Sequence, residues 1–158
     1  MNTSHASVDS LVQDLEDAQR EIFNALEDIP DSELHTAPAE NEWTVAELCA
    51  HVIEMEPLWL EKIADIVRIP KLQRVEAEVE RRTAEVEAHG KDNIDKILRR
   101  LWEANSSARG FLRILDPNTL GTRTDRGTAE EGFRSLVINH MLEHADQIRN
   151  TRVTVRKT

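Results

Sequence analysis

From residue 131 the chain reads EGFRSLVINHMLEHADQIRN, and with Thr151 and Arg152 this is its most strongly patterned segment, Glu131–Arg152. Thr128 stands where an N-cap is needed, and Glu131 three residues on completes a capping box. Phe133, Val137, His140, His144 and Ile148 then recur at steps of three or four, which is one stripe of a helix. On such a helix residues four apart lie one turn above each other, so His140 and His144 aim the same way. They share their stripe with apolar residues and are expected to face a core. Buried imidazoles side by side are costly unless something engages them. Two readings fit: core hydrogen bonds, or ligation of a metal with a third ligand supplied from elsewhere in the chain.

The 158 residues are enough for one domain, residues 1–158, with one sizeable core. Charged residues make up 32%, glycine and proline number only five each, and strand-like alternation is scarce, so the composition points to an all-α protein. A net charge of −10 argues against a nucleic-acid surface, which concentrates Lys and Arg. Only residues 151–158, TRVTVRKT, are locally basic, and they read as a loose tail. Cys49 is the single cysteine, which precludes an intrachain disulfide and suits a reducing cytoplasm. Neither a signal peptide nor a run of membrane-spanning length is present, so the expectation is a soluble cytoplasmic protein without a membrane partner.

Working outward, Val8, Leu11, Leu15, Ala18, Ile22, Leu26 and Ile29 follow helical spacing until Asp28-Ile29-Pro30 ends a first amphipathic helix. Pro30 to Glu42 reads as connector. Thr44 and Glu47 form a second capping box, opening a helix with Val45, Leu48, Val52, Met55, Trp59, Ile63 and Ile66 as its apolar residues. Pro57 inside this run should kink the helix or shift its register near Ile53. His51 falls on or beside the buried stripe. Glu47, one turn earlier, either orients His51 or serves only as a cap, and the cap is the preferred reading.

Lys71–Gly90 is rich in Glu, Arg and Ala with sparse anchors, and is expected to form a solvated crossover helix that opens locally at low cost. His89 beside Gly90 suits a C-terminal cap. Asp92 should cap a third long helix built on Ile94, Ile97, Leu98, Leu101, Ala108, Leu112 and Leu115, ended by Asp116-Pro117. Asn105 interrupts that stripe and is expected to line a polar cavity. Residues 116–127 form a turn-rich loop. The sum is an up-down four-helix bundle with a charged crossover between helices two and three.

Three metal readings compete for the histidines. His140-Met-Leu-Glu143-His144 spells H-x-x-E-H, but that protease signature needs a distant downstream carboxylate, and no Glu follows His144. A di-iron centre needs Glu three residues before His, whereas Leu48, Val137 and Met141 precede His51, His140 and His144. The third reading joins His51 to His140 and His144 in a three-histidine site with open positions, suited to zinc, nickel or iron(II). It requires helices two and four to be neighbours. Cys49 is two positions from His51, so it points elsewhere and reads as a small buried side chain. Trp59 and Trp102 read as core and Trp43 as a hydrophobic staple, while His5 and His35 are given no role.

The run Leu34-x-x-x-Pro38 … Trp43-Thr44-x-x-Glu47-x-x-x-His51, with the later His140-x-x-x-His144-x-x-Gln147, resembles the DinB/YfiT superfamily. The resemblance implies His51, His140 and His144 as ligands of a divalent metal (zinc or nickel foremost, then iron or manganese), with Gln147 on the same face. It implies two chemistries: transfer of a low-molecular-weight thiol to an electrophile, as in bacillithiol- and mycothiol-dependent S-transferases, or hydrolysis as in YfiT-like members. Thiol transfer is preferred, with Glu47, Gln147 and Asn105 as candidate helpers and a homodimer as the assembly. Ala145-Asp146 departs from the usual basic-and-glycine pair after the second histidine, which bears on the substrate side of the pocket. A non-catalytic, metal-stabilised bundle is the alternative from another class. No DNA binding is implied.

Overall fold

The apolar stripe of the first helix is realised in α1, Thr3–Ala25, where Val8, Leu11, Val12, Leu15, Ala18 and Ile22 are buried. The computed structural model describes residues 3–68, 77–124 and 127–158, with the backbone alone for 3–6, 59–60, 62–68 and 77–82. After Ala25 the chain turns through Asp28, whose left-handed backbone (φ 52°) is one that Asp tolerates. The expected connector then holds a helical turn, α2, Asp31–Leu34, because Leu34 is drawn fully into the core.

Helix α3, Val45–Arg68, starts at the Thr44–Glu47 capping box and continues through Pro57. Helix α4, Ala77–His89, is the described part of the charged crossover; residues 71–76 of the expected Lys71–Gly90 segment lie outside the described residues, as does the Trp59 side chain. Gly90 closes α4 because a Cβ there would meet the Val86 carbonyl oxygen at 2.5 Å and the Glu47 Cγ at 2.8 Å. His89 stands in the last turn of α4, where it was expected, and its Nδ1 lies 2.9 Å from Asp92. Asp92 is thereby occupied, so the N-cap of α5, Ile94–Ile114, falls to Asn93, which accepts from the Lys96 N–H at 2.9 Å.

Beyond α5 come a 3₁₀ turn (Pro117–Gly121) and the short antiparallel strands β1, Arg123–Thr124, and β2, Gly127–Thr128. The Thr128–Glu131 capping box then opens α6, Ala129–Phe133. The patterned segment is not one uninterrupted α-helix: Arg134–Asn139 form a π-helical turn before α7, His140–Arg156. The expected loose tail is instead tied down. Arg152 donates to Glu33 at 2.8 Å and to the carbonyls of Ala25 (2.8 Å) and Glu27 (3.0 Å), so it satisfies acceptors left open where α1 ends. Arg156 pairs with Glu33 as well.

The architecture is all-α. Helix α1 packs against α5 and α7, and α3 packs against the same two, enclosing one apolar core. Trp102 is not part of it. At 62% exposed it sits one position off the stripe of Ile97, Leu101, Ala108 and Leu112, and its position overrides its residue type. Among the described residues no helix is long and apolar enough to cross a membrane.

Candidate metal centre

Packing of α3 against α7 brings His51 to the histidine pair. The ring of His51 lies 4.8 Å from that of His144 and 6.0 Å from that of His140, centroid to centroid, and His140 and His144 are 4.5 Å apart. One ligand nitrogen from each of the three falls within 4.8 Å of the others, the one such group of three or more His, Cys, Asp or Glu among the described residues. A tetrahedral ion held at about 2.0–2.1 Å by each nitrogen needs them about 3.4 Å apart. Small side-chain rotations therefore suffice to close the set.

The π turn explains how the pair is presented. It displaces the following residues relative to a uniform α-helix, and the fully buried face of α7 is centred on Met141, Ala145 and Ile148. His144 (8% exposed) lies at the margin of that face and His140 is half-buried, while His51 is 4% exposed. The histidines thus line the edge of the core, not its middle, which is where a site must lie if a small molecule is to reach it.

Gln147, one turn after His144, places its Oε1 3.0 Å from His144 Nδ1. A carbonyl oxygen only accepts, so Nδ1 carries the proton and Nε2 is left with the lone pair a metal requires. On the other wall the Trp43 ring lies 5.3 Å from that of His51, tilted by 52°, so this residue does more than staple the helix start. Trp43 and Gln147 also border a cavity of about 690 Å³ between the α2–α3 connector and α7.

The other expected helpers are engaged with other partners. Glu47 is consumed by its cap, with its carboxylate 3.3 Å from the Thr44 N–H. Asn105 is buried on α5, where its carbonyl oxygen lies 3.4 Å from Gln19 Nε2, in a polar cluster that sequence reasoning did not anticipate. There Gln19 donates to Glu56 Oε1 at 2.6 Å and accepts from Arg109 at 2.9 Å. The signal was present: Glu56 follows Cys49 and Val52 at steps of three and four, the spacing of the buried face. Cys49 is fully buried, as expected, and burial pushes its thiol up to about 12, so it supplies no thiolate near neutral pH.

Three imidazoles converging from two helices, one of them oriented by an amide, are a donor set that fits a divalent metal. No curated protein and no solved structure is similar enough to the chain to count as a match. The family model of the DinB superfamily matches residues 14–148, a span that takes in all three histidines, and the chain belongs to that superfamily.

Proposed function

We propose that the protein is a metal-dependent enzyme in which His51, His140 and His144 hold one divalent ion, zinc or nickel foremost, and that it transfers a low-molecular-weight thiol to an electrophile. The observation behind this reading is the convergence of three imidazole nitrogens within 4.8 Å from α3 and α7. A bound divalent ion supplies Lewis acidity, which lowers the pKa of a thiol or water so that a nucleophile is available at neutral pH.

The chain's own residues do the rest. Gln147 keeps the His144 proton on Nδ1 and holds the ring in place. Trp43 covers one side of His51 and excludes water there. Three neutral ligands leave the charge of a dication uncompensated, which favours an anionic partner such as a thiolate. The only protein thiol, Cys49, is buried and held protonated, so the thiol must come from outside. Hydrolysis in the YfiT manner would use the same centre with water in place of the thiol. The non-catalytic reading gains from one observation: of three expected helpers, Gln147 is the one seen hydrogen-bonded to a histidine of the centre among the described residues.

The test is metal stoichiometry of the purified protein and of His51→Ala, His140→Ala and His144→Ala, followed by thiol–electrophile turnover with and without a chelator. One equivalent in the parent, lost in each folded variant, and turnover abolished by chelation are expected. Uptake should weaken in acid, because ligation needs the imidazole lone pairs that protons compete for. Variants that keep the parent's metal, or a parent that never takes one up, would overturn the assignment. Metal binding with no turnover of thiols or esters would favour the non-catalytic bundle.

A further inference from the structure

The cavity of about 690 Å³ is walled by Pro38, Asn41, Glu42 and Trp43 on the connector side and by α7 residues from Glu143 to Thr154 on the other. None of the three histidines forms its wall, yet it touches their centre at two points: Trp43 packs on His51, and Gln147 bonds to His144. Its polar lining is one-sided. Glu42, Glu143 and Asp146 contribute three carboxylates, and no Lys, Arg or His balances them from within the walls. Asp146 is paired with Arg149 at 3.1 Å, whereas neither Glu42 nor Glu143 has an ion pair among the described residues.

We infer that this cavity is the recognition subsite for the substrate of the histidine centre, and that it takes a group bearing positive charge, of the primary-ammonium class. The inference rests on the metal-enzyme reading above. An ammonium group would meet two uncompensated carboxylates, the amide oxygens of Asn41, Gln147 and Asn150 as acceptors, and the indole of Trp43, whose face attracts cations. A carboxylate-bearing substrate would meet the same two charges as repulsion, with no counterion in the walls.

The test compares cysteamine with 3-mercaptopropionate, thiols of one size and opposite charge, titrated into cobalt(II)-loaded protein and read by thiolate-to-metal absorbance. Cysteamine should bind about tenfold more tightly at low ionic strength, with the preference shrinking at high salt. Glu42→Gln/Glu143→Gln, keeping its cobalt stoichiometry, should lose the preference; either single variant, losing part of it, serves if the double variant fails to fold. Equal or reversed affinities in the parent, or a preference that survives both substitutions, overturn the inference. If neither thiol perturbs the cobalt spectrum, the thiol reading fails. The subsite is then judged by tryptophan fluorescence: quenching by butylamine but not butyrate, lost in Trp43→Phe and in the carboxylate variants, upholds it, and unselective or absent quenching refutes it.

Discussion

Replacing Glu56 by Gln should change the pH dependence of stability in a defined direction. Glu56 is fully buried on α3, its Oε1 accepts from Gln19, and its Oε2 has no hydrogen-bond partner among the described residues. Burial pushes its carboxyl up to about 7 from an ordinary 4.5, against the opposing pull of the Gln19 hydrogen bond and the Arg109 charge. Below pH 4.5 the carboxyl is protonated in both folded and unfolded chains and contributes nothing to the difference. Above it the unfolded chain releases the proton while the folded chain keeps it, so stability falls as pH rises and levels off past about 7. At about 1.4 kcal/mol per pH unit, the loss between about pH 5 and pH 7.5 is about 2 kcal/mol. Glu56→Gln retains an oxygen for Gln19 and carries no charge. Urea unfolding of parent and variant in the presence of chelator should therefore show the variant gaining about 2 kcal/mol on the parent from pH 5 to pH 7.5. Other titrating groups cancel in that double difference. A gap that stays constant within about 0.5 kcal/mol, the scale at which independent effects add, would show that the folded protein does not hold this proton.

Gln147→Leu should lower metal affinity about ten- to a hundredfold by freeing the His144 tautomer, measured by chelator competition; unchanged affinity would mean that the amide does not orient the ring. Gly90→Ala should destabilise by about 1–3 kcal/mol, because the new Cβ meets a backbone oxygen that a side-chain rotation cannot move aside. A neutral result in urea unfolding would place that carbonyl elsewhere. A homodimer is expected from the family and from Leu142 and Val153, large apolar residues on α7 that stay exposed; light scattering that gives a monomer at tens of micromolar, roughly the concentration at which such associations are populated, would refute it.

Much of the bundle was legible because its signals are local. The capping boxes at Thr44 and Thr128 and the stripes of α1 and α5 depend only on neighbours three or four residues apart, and each appears at its expected place. The misreadings do not share one cause. Arg152 looked like tail because Glu33 and the end of α1 lie more than a hundred residues away. Asp92 looked like a cap because nothing in its own turn shows that His89 occupies it. The π turn at Arg134–Asn139 has no residue signature, since an i→i+5 bond makes no demand that the side chains of an ordinary helix cannot meet.

Polar residues on an apolar stripe were the one signal that led to two different structures. On α1, α3 and α5 they produced the cluster of Gln19, Glu56, Arg109 and the Asn105 carbonyl, whose members differ in kind: amide, carboxyl, guanidinium, backbone oxygen. Donors there meet acceptors, charge is spread over hydrogen bonds, and the cluster braces three helices without an added partner. On α3 and α7 the stripe residues are three imidazoles, each bringing a ring nitrogen within 4.8 Å of the others. A hydrogen bond between imidazoles joins only two rings at a time, whereas a cation at that point engages a lone pair from all three at once. Asn105 enters the brace through its backbone carbonyl, which any residue would supply there, whereas His51, His140 and His144 are gathered by their side chains, as their spacing and the resemblance led one to expect.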